Sequence, residues 1–267
     1  MTDVDFSTGG AVVTGAGSGI GAGLARRAAR EGMGVLVADI DLAAAEAVSA
    51  DLRARGADAV TRRIDVRDPV DQEAAAEFAF ERWGSVRLLV NNAGVELTGK
   101  LWEFSIDQWN RVIDIDLNGV YYGLRAFIPL MLAHGERAHI VNVASVAGLY
   151  TRPYTAGYGA AKHGVLALSE IAATELSAES DVVSLSVLLP GAVATAIFDD
   201  AQSVGDLGER HRSTLAQRLR NEGISPDQVA DIVFDGIRAG KLHIHTDVEM
   251  SRVSLNDRWQ TLSDSLD

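Results

Sequence analysis

The chain has 267 residues, 47 % of them hydrophobic, with 24 Lys and Arg against 37 Asp and Glu for a net charge of −13. That length and apolar content suit one large α/β domain, and the acidic balance is the reverse of the basic footprint that nucleic-acid binding needs. The absence of cysteine excludes disulfides, thiolate catalysis and cysteine metal sites. Residues 1–5 lack the basic and apolar regions of a signal peptide, and no apolar run reaches membrane-spanning length, so the cytoplasm is the expected compartment.

The first apolar run, 10–14, reads as a strand, followed by Gly15, Gly17, Gly19 and Gly21 and a helical stretch over 20–31. Strand, glycine turn and helix is the context in which glycines allow close backbone approach and a helix N-terminus offers free N–H groups to a pyrophosphate. Residues 34–39 form a second strand ending on Asp39, placed where a ribose-binding carboxylate is expected, although it could instead cap the helix over 42–55. A third strand spans 59–65, and Asp68-Pro69 opens the next helix as N-cap and first residue. Strand four, 88–91, leads into Asn92, Ala93 and Gly94; Ser105 and Gln108 form a capping box at the head of a long helix that Pro129 should loosen near its end.

Residues 139–143 read as a buried strand leading to Ser145. On the following helix, Tyr158 and Lys162 are four residues apart and share a face. A Lys ammonium beside a phenol favours the phenolate and lowers its pKa, which makes Tyr158 a candidate general acid or base. Ser145 and Tyr158 could hydrogen-bond one substrate oxygen. Strand six is 182–189, closed by Pro190-Gly191; 196–223 reads as a mobile lid with no clear hydrophobic stripe. A capping box at Ser225–Gln228 starts the next helix, a short strand covers 242–245, and a polar tail follows from about 246. Alternating apolar strands and helices give an α/β fold, a parallel sheet covered on both faces.

These motifs together, Thr14-Gly-Ala-Gly-Ser-Gly-Ile-Gly21, Asp65-Val66, Asn91-Asn-Ala-Gly94, Asn118, Ser145, Tyr158-x-x-x-Lys162 and Pro190-Gly-Ala-Val-Ala-Thr195, resemble the short-chain dehydrogenase/reductase family over most of the chain. The resemblance implies a single-domain Rossmann fold, a doubly wound parallel sheet of about seven strands, spanning 1–267. It implies NAD-dependent hydride transfer with Asn118, Ser145, Tyr158 and Lys162 as the catalytic set. Tyr158 would exchange a proton with the substrate oxygen and Ser145 would hydrogen-bond it. Lys162 would hold the nicotinamide ribose and depress the Tyr158 pKa, and Asn118 would keep a water that links Lys162 to solvent. Gly15, Gly17, Ser18, Gly19 and Ile20 would wrap the pyrophosphate. Asp65 and Val66 would contact adenine; Asn92, Ala93 and Gly94 would lie on the adenine-ribose side. Val193 and Thr195 would fix the carboxamide, and Pro190 and Gly191 would belong to the same cofactor-binding set.

Asp39, with Ser18 and Ile40 where a basic residue would suit NADP, points to NAD as the preferred cofactor. Glu96, Val146, Tyr150, Tyr154 and Phe198 are candidate substrate-pocket residues, fitting an apolar or aromatic secondary alcohol or ketone. No metal site is expected: His243 and His245 alternate on a strand without a third ligand. The other functions this pattern leaves open are a non-catalytic NAD-binding sensor of the same fold and a Rossmann-like methyltransferase. Partners are a small-molecule substrate and further copies of the chain, as a homotetramer or homodimer, with neither nucleic acid nor membrane.

Overall fold

The computed structural model describes residues 4–264 and residue 266; positions 1–3, part of the stretch read above for a leader, lie outside them. The elements in chain order are β1 (Gly10–Thr14), α1 (Gly19–Glu31), β2 (Gly34–Asp39), α2 (Leu42–Ala54), β3 (Ala59–Arg63), α3 (Pro69–Trp83), β4 (Val86–Asn91), β5 (Leu97–Thr98) and α4 (Ile106–Ile113). A π-helical turn (Asp114–Asn118) leads into α5 (Gly119–His134), then β6 (Ala138–Val143), α6 (Ala156–Glu179), β7 (Val183–Leu189), β8 (Gln202–Ser203), α7 (Gly205–Glu222), α8 (Pro226–Arg238), β9 (His243–His245) and α9 (Val248–Ser263).

Seven strands form one parallel sheet in the order β3-β2-β1-β4-β6-β7-β9. The inner strands are apolar along their length because both faces are covered. Leu24 and Ala25 of α1, Leu52 of α2 and Phe234 of α8 cover one face; Ala76 of α3, Phe127 of α5 and Val165 of α6 cover the other. Two parallel strands, β5 and β8, pair outside the main sheet.

The caps form where the sequence places them. Asp68 accepts from the Val70 N–H ahead of Pro69, and Ser105–Gln108 and Ser225–Gln228 close both halves of their capping boxes. Three expectations change. The helix after Ser105 is interrupted by the π-helical turn at 114–118, whereas α5 continues through Pro129 to His134. Most of the 196–223 segment is helical: α7 is tied to β5 by Val204 N–H to Thr98 O at 2.8 Å and Thr98 Oγ1 to Gly208 O at 2.9 Å. The polar tail contains the 16-residue α9, capped by Asp247. Among the described residues no helix is long and apolar enough to cross a membrane.

Candidate active site

Chain connections leaving β1 and β4 run toward opposite edges of the sheet, and a crevice opens at the carboxyl ends of strands at such a switch point. The crevice here is a cavity of about 480 Å³.

One half is a backbone cradle. Gly15, Ser18, Gly19 and Ile20 line it. Gly15 has φ +61°, and a Cβ there would fall 2.8 Å from Ala93 Cα; Gly19 has φ +51°, with Thr195 Cγ2 at 3.1 Å from a Cβ. Only glycine suits both the backbone angle and the space. No side chain caps α1 at Ser18, and its first turn carries no acid. The loop after β4 is fastened to the glycine loop by Asn92. Its Nδ2 donates to Thr14 O at 2.8 Å and Gly15 O at 3.1 Å, and its N–H donates to Thr14 Oγ1 at 3.0 Å.

Gly17 does not line the cavity; its N–H donates to Asp39 Oδ2 at 2.8 Å and fixes that carboxylate, which does. Asp41, not Asp39, caps α2, accepting from the Ala43 and Ala44 N–H groups. Asp65, Val66, Ala93, Gly94, Pro190, Gly191, Val193 and Thr195 also line the cavity. The Asp65 carboxylate is taken by Arg67 at 2.6 Å, and that hydrogen-bonded pair holds it below the usual carboxylate range. A cradle with space only for glycine, a helix N-terminus free of a side-chain cap and a carboxylate beside it fit a dinucleotide, with the diphosphate on α1 and a ribose at Asp39.

In the other half, Ser145 follows β6, and Tyr158 and Lys162 lie one turn apart on α6. Tyr158 is half-buried; Lys162 is buried, its Nζ 5.4 Å from the Tyr158 ring centroid. Lys162 Nζ donates to Val143 O at 3.1 Å and pairs with Asp116 Oδ2 at 3.2 Å. Asp116 is fully buried, and its Oδ1 accepts from Val95 N–H at 2.8 Å.

Two expectations are corrected here. Asn118 is not brought to Lys162: its Nδ2 donates to Asp114 Oδ1 at 2.8 Å, and it does not line the cavity. The π-helical turn, with i→i+5 bonding, places Asp116 there instead. Nor is the Tyr158 phenol lowered. Burial pushes it above its ordinary value, followed by Glu96, whenever that carboxyl is ionised, and the charge of Asp116, while interaction with the Ser145 hydroxyl opposes them. The Lys162 ammonium is ion-paired with Asp116.

Of the pocket candidates, Glu96, Val146, Tyr150 and Phe198 line the cavity. Tyr154 does not; its φ is +72°, its carbonyl accepts from Gly99 N–H, and its ring packs on His211 with centroids 5.5 Å apart. Sequence reasoning missed Asp116, missed Leu219 and Met250 in the lining, and did not single out Arg152 and His211 there. Asp116 carried one readable signal, an acid in an apolar helix stretch. The other four sit on segments read as loop, lid or tail.

A family model described as short chain dehydrogenase matches residues 10–204. A cyclohexanol dehydrogenase of Acinetobacter sp. (strain SE19) is 40 % identical over 198 residues, 73 % of this chain and 78 % of that protein. A 1-deoxy-11-beta-hydroxypentalenate dehydrogenase of Streptomyces exfoliatus is 31 % identical over 251 residues, 93 % of this chain and 86 % of that one. A crystal structure of a short chain dehydrogenase/reductase from Burkholderia phymatum in complex with NAD superposes with a TM-score of 0.90 at 36 % identity, covering 94 % of this chain and 92 % of that one.

Proposed function

The chain belongs to the short-chain dehydrogenase family, and from that premise we propose that it is an NAD-dependent oxidoreductase acting on an apolar secondary alcohol and its ketone. The observation that carries this reading is the meeting of Ser145, Tyr158 and Lys162 in the same cavity as the glycine cradle and Asp39.

When bound, the nicotinamide cofactor supplies the hydride acceptor or donor. Gly15, Ser18, Gly19 and Ile20 would hold its diphosphate, Asp39 the adenine ribose, and Lys162 the nicotinamide ribose. Ser145 and Tyr158 hold the substrate oxygen from one side, which fixes the reacting carbon. Tyr158 carries the proton. A phenol raised by burial is a protonated donor, ready to give its proton to a carbonyl oxygen in reduction, and the phenolate takes it back from the hydroxyl in oxidation. Lys162, fixed by Val143 O and Asp116, is held in place without a mobile side chain to order. Val146, Phe198, Leu215 and Met250 give the substrate end its apolar lining. The apolar lining, together with the relatives named as alcohol-oxidising dehydrogenases, supports cyclohexanol and larger cyclic or aromatic secondary alcohols as first substrates.

Tyr158→Phe removes the transferable proton and keeps the ring. Turnover of cyclohexanol or a substrate found by screening should fall at least about 10²-fold, with NAD affinity by calorimetry unchanged. Near-wild-type turnover in this variant would sink the assignment. NAD binding without turnover across a broad panel of secondary alcohols would favour a sensor.

A further inference from the structure

Glu96 is the feature of the cavity that the proposed chemistry leaves unused. It sits just before β5, is 1 % exposed and lines the substrate end. Among the described residues its carboxyl receives one hydrogen bond, a 3.3 Å contact from the adjacent Leu97 N–H to Oε1, and no side chain reaches it. A buried polar group with so little partnership calls for an external one.

Its protonation follows from its neighbours. Asp116 and Glu96 both lie within electrostatic reach of Lys162, the buried cation that acts on both of them. One buried cation balances one carboxylate, and a second unpaired carboxylate in a buried site is too costly to keep ionised. Burial raises Asp116 as well, but less than Glu96, because its Oδ2 is ion-paired with Lys162 Nζ at 3.2 Å and its Oδ1 accepts from Val95 N–H at 2.8 Å, so of the two it is the one that keeps the charge. The other ionisable groups agree. Arg111 favours the charged form of Asp116, while Tyr158 and Tyr150 both feel Glu96. Arg152 and Arg218 act on Tyr150, with Arg152 stacked 4.3 Å over its ring. Burial and the charge of Asp116 push Glu96 well above the usual carboxylate range.

We propose that Glu96 stands in the cavity as a neutral carboxylic acid and donates a hydrogen bond to a second oxygen of the substrate. Preferred substrates are therefore secondary alcohols or ketones that carry another oxygen acceptor on a carbon near the reacting one. This rests on the oxidoreductase reading above and deepens it. Apolar lining alone discriminates weakly between molecules of one shape, whereas a buried donor left without its acceptor rejects the analogue that lacks it.

The test is an isosteric pair, 2-methoxycyclohexanol and 2-ethylcyclohexanol, differing in one ether oxygen that can only accept. For the wild-type enzyme with NAD at neutral pH, kcat/KM for the methoxy compound should exceed that for the ethyl compound at least about tenfold. Glu96→Leu should bring the two within about twofold, and Glu96→Gln, whose amide donates without titrating, should keep most of the preference. The wild-type preference should fall as pH rises and Glu96 ionises, because a carboxylate cannot donate; the Glu96→Gln preference should be flat over the same range. Parity of the two alcohols in the wild type, a preference that Glu96→Leu retains, or a wild-type preference indifferent to alkaline pH would each overturn the proposal while the oxidoreductase reading stands. The pH arm needs only wild-type protein, so poor folding of Glu96→Leu does not shield the idea. Turnover of neither alcohol nor of any other secondary alcohol would overturn both.

Discussion

Asp39 accepts hydrogen bonds from the N–H groups of Gly17 and Asp41 and still faces the cavity, beside an Ile40 that is 49 % exposed. A 2′-phosphate there would meet a fixed carboxylate. At ~4 Å and an effective dielectric near ~20, discounted for partial exposure, one like-charge pair costs roughly 2–3 kcal/mol. The expected preference in kcat/KM for NAD over NADP is therefore about 30- to 200-fold, and Asp39→Ala should erase most of it. Arg62 is no rival phosphate ligand, since its guanidinium lies 4.7 Å over the Phe78 ring. Arg63, the register partner of Asp39 on β3, is the competitor to watch. An NADP preference that survives Asp39→Ala would show that another residue selects the cofactor. A different residue governs acid stability. His139 is buried, with Nδ1 2.6 Å from Ser184 Oγ and Nε2 2.9 Å from Ser186 Oγ, and burial lowers its pKa to about 3. The unfolded chain protonates it near the ordinary value of about 6.5. Below that pH the unfolded state binds more protons, so stability falls as pH drops. From pH 6.5 to 4.5 the loss should be roughly 2–3 kcal/mol greater than in His139→Gln. Urea unfolding at both pH values measures it, and equal slopes in the two proteins would refute the assignment.

Among the elements, α7 poses the sharpest question. It buries only Gly208 and Ala216, and it is fastened by backbone groups of Gly208 and Val204 to Thr98 and by polar and ring contacts at its surface, Arg212 to Phe198 O, Arg220 to Asp199 and His211 to Tyr154. We expect it to act as the lid over the substrate end, since Leu215 and Leu219 reach the cavity. Elements with few buried apolar contacts open at low cost. Without ligand, amide exchange in α7 should be much faster than in β1 or β4, and it should slow when NAD and a substrate analogue are both bound. Exchange as slow as in the sheet without ligand would contradict this. The same weakness explains why α7 was illegible in the sequence: a helix that buries only Gly208 and Ala216 leaves no apolar stripe to read. The inner strands were legible for the opposite reason, because burial on both faces writes a continuous apolar run. Ser145, Tyr158 and Lys162 were legible because a strand end and one regular helical turn place them. Asp116 was not, because regular α-helical periodicity cannot anticipate a π-helical turn.

Viewed as a whole, the surface of the molecule still carries apolar groups that the fold leaves uncovered. On α6, Val165, Ala172 and Leu176 are buried while Ile171 is 55 % exposed; on α5, Tyr121 is 49 % exposed. We propose that the expected dimer or tetramer is built on these two helices. Light scattering at micromolar concentration that returned a monomer would refute it, and Ile171→Glu should shift the assembly toward smaller species. The strand order has a further consequence, for the chain as it leaves the ribosome. Strands β3, β2, β1 and β4 are complete once Asn91 has emerged, but β6, which pairs with β4, begins only at Ala138. At about 5–20 residues per second the nascent half-sheet waits on the order of seconds with the backbone edge of β4 unpaired. Slowed translation between these two strands would lengthen that exposure, so synonymous codon choice in this interval becomes a determinant of how much newly made protein escapes aggregation.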